Sequence, residues 1–423
     1  MAVFYRPGLV QPARPGRKTM NNRFGMPSCW LTRLLAASSL SLTLTGAIIG
    51  TASAQGGPTQ GVTDTEIVIG TTTDLSGVTA VQGVNNSDAI RMAFDEANAK
   101  GGVNGRKIRY VVEDSQYTVP RAVQGMNKLL NEDKIFFALA DGGTPMNDAE
   151  MPMQLKKNVP NVFPLTAARS MYQPFNRLKF GQFASYYDEM RSGVKYFVEQ
   201  KHDKKICAMY QDSDFGRDVL AGIQAEAKAL GLQVIATTAH HPTDTDFSAS
   251  LTKLRDAGCD FVGMGTIVRD TNLIISTAQK MGWHPDFVGQ FASYDPAVAS
   301  LPGGATEGFY SMTPALYAYP DDPRPDVQAF VKAFKARYGI DPNFHGEQGW
   351  TAAQFVLLAL QKAGRNLTVD SFISAMEGIK DFKPIFGGSL SLGPDNHQAS
   401  NASFLAVVRK GRWVPVMDQA LSY

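Results

Sequence analysis

The chain has 423 residues, with 41 basic and 39 acidic side chains and 44% hydrophobic residues. That length allows two to three domains with full cores, so no metal or disulfide staple is required for stability. The near-balanced charge excludes a general affinity for nucleic acid or anionic membranes.

Residues 1–54 read as an export signal. Arg6, Arg14, Arg17, Lys18, Arg23 and Arg33 make the stretch basic, and no acid precedes Asp64. An apolar run from Leu34 to Gly50, broken only by Ser and Thr, leads to the small-x-small cleavage signature Ala52-Ser53-Ala54. These are the three parts of a secretory signal peptide. Met20 would serve as a start with more ordinary proportions. A membrane anchor is the rival reading, but the run is short for a span of about 20 apolar residues. Cys29 precedes the run, which argues against a lipid anchor. Removing the six basic residues leaves 35 basic against 39 acidic side chains, a net charge of −4. The mature protein is expected to be soluble and periplasmic.

After a flexible lead-in, β and α patterns alternate. Strands are expected at Glu66–Gly70, Ile108–Val112, Ile135–Ala140 and Asn161–Pro164. Helices are expected through Ala89 to Ala97, at Pro120–Asn131 and at Pro145–Lys157. The pattern then restarts, with helices at Tyr186–Gln200, Phe215–Leu230, Phe247–Ala257 and Asn272–Met281. Its strands are expected at Ile206–Tyr210, Val234–Ala239, Phe261–Gly265 and Phe287–Gly289. Two successive β-α-β-α-β-α-β units imply two Rossmann-like lobes with parallel sheets. The tail reads differently: helices at Asp326–Tyr338, Gly346–Ala363 and Thr368–Met376, then strands at Ser403–Arg409 and Arg412–Val416. It is too short for a third lobe and is expected to complete the other two. The chain would then cross between lobes more than twice, making a multi-stranded hinge. The expected lobes are residues 62–184 with 317–391, and 185–316 with 392–423. Cys207 and Cys259 each open a strand and are expected to be separate buried thiols. A disulfide between them would require neighbouring strands.

In open parallel sheets, ligands sit beyond the carboxyl ends of the strands. Attention therefore falls on Thr73–Gly77, Asp141–Pro145, Leu165–Ala168, Asp212–Gly216, Thr266–Val268 and Gln290–Tyr294. Thr144 suits an N-cap and Pro145 the first helical position, at a helix start that could hold a carboxylate. Enzyme signatures are absent: the chain has no phosphate-binding G-x-x-x-x-G-K-[ST] and no G-x-S-x-G elbow. Asp212 and Asp214 read as helix-start residues rather than paired catalytic acids. His240-His241 reads as a solvated turn rather than a metal pair. Glu347 and Trp350 share a helix face and read as packing residues. No catalysis, cofactor or metal is expected.

The order of motifs resembles a known family. Ile69-Gly70 through Leu75-Ser76-Gly77, Ala97 through Gly105, Asp212 through Gly216, and Thr245-Asp246-Phe247-Ser248 are similar to the periplasmic leucine/isoleucine/valine-type solute-binding proteins. The resemblance runs from about Ile67 to Val416. It implies the type I periplasmic binding fold, two lobes on a three-stranded hinge that close on a solute. It also implies an inner-membrane ABC permease complex as partner, no nucleic acid, and action as a monomer. It places Thr144 and the loop Leu165, Thr166 and Ala167 at the ligand's carboxylate. Family aromatics fall on Gln82, Phe215 and Ile267, of which only Phe215 keeps the type. Tyr186 lies at the hinge crossing, within reach of the cleft. The acid that pairs with an amino acid's ammonium falls on Phe291. Either Asp270 or Asp295 substitutes, the alignment slips there, or the ligand is not an α-amino acid. The resemblance thus implies capture of a branched-chain amino acid or similar hydrophobic carboxylate. An aromatic acid or amide-type solute is the alternative, and a ligand-binding sensor subunit is the reading of another class.

Overall fold

The computed structural model describes residues 59–421. The basic stretch, apolar run and cleavage signature, with the alternative start at Met20, lie outside the described residues.

Two sheets organise the chain. The first holds β1 (Glu66–Thr73), β2 (Lys107–Asp114), β3 (Phe137–Leu139), β4 (Asn161–Val162) and β5 (Lys179–Phe180), in the order β2-β1-β3-β4-β5. All its pairings are parallel. The connecting helices are α1 (Ala80–Ala99), α2 (Val119–Asn131) and α3 (Thr144–Lys156).

The second sheet holds β6 (Ile206–Gln211), β7 (Val234–His240), β8 (Phe261–Gly265), β9 (Asp286–Gly289) and β10 (Tyr310–Thr313). It ends in β11 (Phe404–Arg409) and β12 (Arg412–Pro415), and its order is β12-β11-β10-β9-β8-β6-β7. The strands from β7 to β10 are parallel, and the last two pair antiparallel. Between them come α4 (Tyr186–Tyr196), α5 (Asp214–Ala229), α6 (Ser248–Asp256), α7 (Val268–Lys280) and the short α8 (Pro296–Ala299). The tail supplies α9 (Pro325–Tyr338), α10 (Phe344–Ala363) and α11 (Val369–Glu377).

The two-lobed α/β architecture read from the alternating pattern is the one found. Parallel strands buried on both faces need apolar side chains throughout, and β1 after Glu66, with all of β3 and β8, is buried. The tail contributes side chains to both cores. Phe355, Val356, Ala359 and Phe372 from α10 and α11 join Ile67, Ile69, Phe137 and Leu139 in one core. Leu405, Ala406 and Val408 of β11 join Met209, Val262 and Val288 in the other. Contact between α10 and α1 is close, because a Cβ on Gly349 would stand 2.4 Å from the Asn86 carbonyl oxygen.

Three segments cross between the sheets: 181–185, 314–324 and 392–403. Two run side by side, where Gly181 donates to His397 and accepts from Ala399, both at 2.8 Å. This is the multi-stranded hinge, and His397 packs its ring on Phe180 beside it.

Two strands escape the periodicity. β5 is only two residues long, and β10 lies between Gly308 and Pro314 with no alternation to mark it. The cysteines also correct the sequence reading. Cys207 and Cys259 form a disulfide with Cα atoms 5.9 Å apart. The pairing β6–β8, with Cys207 opposite Val262, brings the start of β8 to the cysteine on β6.

Candidate functional site

The order in which the chain adds strands reverses at one point in each sheet: between β1 and β3 in the first, and between β6 and β8 in the second. At such a point neighbouring crossovers leave on opposite faces, and a crevice opens beyond the strand ends. The two crevices face each other and share one cavity. Thr73 comes to it from the end of β1, Asp74 and Thr79 from the loop that follows, Gly142, Gly143 and Thr144 from the segment after β3, and Leu165 from the loop after β4. From the other sheet come Phe215 after β6, Ile267 after β8, and Phe291 and Ala292 after β9. Gln82 and Gly83 of α1, Tyr117, Tyr186 and His345 complete the wall.

The expected residues Gln82, Thr144, Leu165, Tyr186, Phe215, Ile267 and Phe291 are therefore brought together. Thr166 and Ala167 are not in the wall. They form the layer behind it, where the Thr166 hydroxyl lies 2.7 Å from that of Thr144 and 3.4 Å from that of Tyr186. The Ala167 carbonyl accepts the Tyr186 N–H at 2.9 Å. Both hold lining residues in place instead of facing the cavity.

Thr144 also departs from its expected local role. Gly143, at φ 82°, is the N-cap, so Thr144 and Pro145 occupy the first two helical positions. The left-handed turn needs a glycine and starts α3 one residue early. No side chain caps the first turn of α3. A hydroxyl and an uncapped helix start, with its partial positive charge, therefore meet at the cavity wall.

The opposite wall is apolar. Phe291 packs against Phe183 at 4.7 Å and Phe344 at 5.9 Å, and Tyr186 stands edge-on to Phe215 at 5.0 Å. Behind Phe291, the buried Glu189 accepts the Phe291 N–H through Oε2 at 3.1 Å, and its Oε1 has no partner. Burial pushes the Glu189 carboxyl up to about 8.

Hydrogen bonds and ion pairs tie the loops of one sheet to those of the other. Gln82 Nε2 donates to the Ala292 carbonyl at 2.7 Å, and Tyr117 donates its hydroxyl to Gln211 at 3.4 Å. Arg169 Nε pairs with Asp218 at 2.6 Å while its guanidinium stacks on Tyr187. Gln82 Nε2 also lies 3.1 Å from His345 Nε2. An amide nitrogen only donates, so the imidazole accepts there, and its other nitrogen carries the proton toward Asp295 Oδ2 at 3.3 Å.

The remaining expected residues sort as follows. Asp270 is buried between Arg269 and His240, and Asp295 is held by His345 and by the Ala297 N–H. Neither lines the cavity, so neither supplies the counter-charge considered from sequence. His240 corrects its reading: it is the buried last residue of β7, bonded to Asp270 and edge-on to Phe247, not a solvated turn. Asp212 and Asp214 flank the N-cap Ser213 and pair with Arg217, a helix-start role. Glu347 accepts the Ala318 N–H from within the protein, and Trp350 packs on Phe330. Tyr117 and His345 were missed, because one follows the edge strand β2 and the other opens a tail helix far along the chain. Among the described residues, no cluster of His, Cys, Asp or Glu suits a metal ion.

Comparison with known proteins supplies the family and the fold. A family model described as periplasmic binding protein matches residues 66–412. The leucine-, isoleucine-, valine-, threonine-, and alanine-binding protein of Pseudomonas aeruginosa is 24% identical over 292 residues, 69% of this chain and 76% of that protein. A branched-chain amino acid ABC transporter structure from Thermus thermophilus with bound valine superposes with a TM-score of 0.78 at 21% identity. It covers 86% of this chain and 98% of its own. The fatty acid ABC transporter substrate-binding protein from Thermomonospora curvata gives 0.77 at 24% identity, covering 86% and 94%. At these identities the structural likeness speaks for the fold. The family match takes in the first sheet, the second as far as the start of β12, and every loop around the cavity, and by it this chain belongs to the periplasmic binding protein family.

Proposed function

We propose that the protein captures a small hydrophobic carboxylate in the periplasm and delivers it to an ABC-type importer in the inner membrane. The solute class spans branched-chain amino acids and comparable aliphatic or aromatic acids. Binding, without chemical turnover, is the whole of its action, and a monomer suffices. The two lobes have the bounds read from the sequence, and they close around the solute.

The observation that carries this reading is the convergence of both switch points on one cavity. An anion-friendly end, made by Thr144 and the uncapped start of α3, faces a wall of Phe215, Ile267 and Phe291. A solute touching both walls adds contacts that exist only in the closed arrangement, so it shifts the population toward closure. The closed outline is then the signal the permease reads.

A thermal-shift panel of amino acids, aliphatic acids and aromatic acids tests the proposal. A solute at about 100 times its Kd adds roughly 2.7 kcal/mol to stability, enough for a clear rise in Tm. If all three classes leave Tm unmoved while sugars, polyamines or metal ions raise it, the proposal fails.

A further inference from the structure

Among the described residues, the cavity wall offers a cation no carboxylate with an open acceptor position, and this narrows the class of solute. The narrowing rests on the carboxylate-capture reading above. Asp74 is the only acid among the described residues lining the cavity. Its Oδ1 accepts the N–H groups of Ser76 and Gly77, and its Oδ2 accepts the N–H and hydroxyl of Thr79, at 2.5–3.2 Å. A carboxylate offers about four acceptor positions, and these four donors fill them. The loop after β1 is what Asp74 serves.

Acids in the layer behind the wall are likewise engaged. Asp141 takes the Thr72 N–H and the Gln154 amide, and Glu150 takes the Thr72 hydroxyl. Asp270 and Asp295 are bound to Arg269 and His345 as described. Glu189 accepts the N–H of the wall residue Phe291 and does not itself line the cavity. With its carboxyl raised to about 8 by burial, it carries a proton at neutral pH and offers no negative charge. His345, held as donor to Asp295 and acceptor from Gln82, offers a cation nothing but an occupied lone pair.

Donors, by contrast, are available at the Thr144 hydroxyl and the uncapped first turn of α3, while Leu165, Phe215, Ile267 and Phe291 supply apolar faces to the same cavity. An ammonium placed in this space would leave water and meet no carboxylate with an open acceptor position, which is costly. A carboxylate head with an apolar body meets a suitable group on every side.

We infer that the solute is a monocarboxylate with an apolar body and no ammonium group, such as a branched aliphatic, short fatty or arylalkanoic acid, and that α-amino acids are discriminated against. Calorimetric titration of the protein purified from the periplasm, stripped of carried solute by unfolding and refolding, tests this. The probes are two matched pairs at pH 7: 4-methylpentanoate against L-leucine, and 3-phenylpropanoate against L-phenylalanine. In each pair that binds, the acid without the amino group is expected to bind at least about 100-fold more tightly, a difference of about 2.8 kcal/mol. Equal or tighter binding of the amino acid overturns the inference while leaving carboxylate capture intact. No measurable binding of any of the four probes overturns both.

Discussion

In the proposed function Thr144 is the residue on which the carboxylate end depends, and its hydroxyl does two things. It approaches the Thr166 hydroxyl at 2.7 Å and faces the cavity. Thr144→Val keeps the shape and leaves Thr166 a second partner in Tyr186. A hydrogen bond to a charged group contributes about 1.5–3 kcal/mol. Calorimetry should therefore show solute affinity falling about 10- to 100-fold, with Tm changed little. A variant that binds as tightly as the parent would remove Thr144 from the carboxylate end. Glu189 makes a different prediction. Its folded carboxyl titrates near 8, above its ordinary 4.5, so the native chain holds the extra proton between those pH values. Stability contributed by this group is full below about pH 4.5 and is lost as pH rises to about 8. Glu189→Gln accepts the Phe291 N–H without ionising. Thermal unfolding from pH 4 to 9 should show the variant gaining on the parent across that window and levelling off above it. Parallel curves would contradict the assignment. The loops that carry Thr144, Phe215 and Phe291 are legible in the sequence because strand ends follow from a local pattern, and the family resemblance singled out those residues within them. Glu189 and His345 were not, because their roles come from what the fold packs against them.

At the scale of elements, strand and helix alternation is legible wherever an apolar run is long enough. Glycines punctuate it well: Gly231 and Gly258, both at positive φ, follow the helix ends the sequence marks. β5 and β10 were hidden because two to four residues carry no period, and their place is decided by the strands beside them. The disulfide was hidden for the same reason, since Cys207 and Cys259 are 52 residues apart and meet only through the β6–β8 pairing. Closing a loop of that length is worth about 4 kcal/mol in the chain-entropy account. Cys207 lies near the start of β6, at the end away from the cavity. Reduction, or the double change Cys207→Ala with Cys259→Ala, should lower unfolding free energy by about 2–4 kcal/mol and leave solute affinity within about twofold. Denaturant melts and calorimetry on the same samples check this. A large loss of affinity with little loss of stability would mean the bridge acts on the site.

For the whole molecule, two sheets with like order among their parallel strands present their switch points to one another, and the paired crossings beside Gly181 supply the hinge. Gln82, Tyr117 and Arg169 span from one set of loops to the other, so these bonds must break when the cleft opens. A solute repays that opening only by touching both walls. The most direct test is a crystal structure with the tightest-binding acid from the titrations. It should show one solute, its carboxylate on Thr144 and the start of α3, its body against Phe215, Ile267 and Phe291. A solute seated elsewhere, for instance in the groove beside Trp350 and Phe330, or touching loops of one sheet alone, would contradict the account.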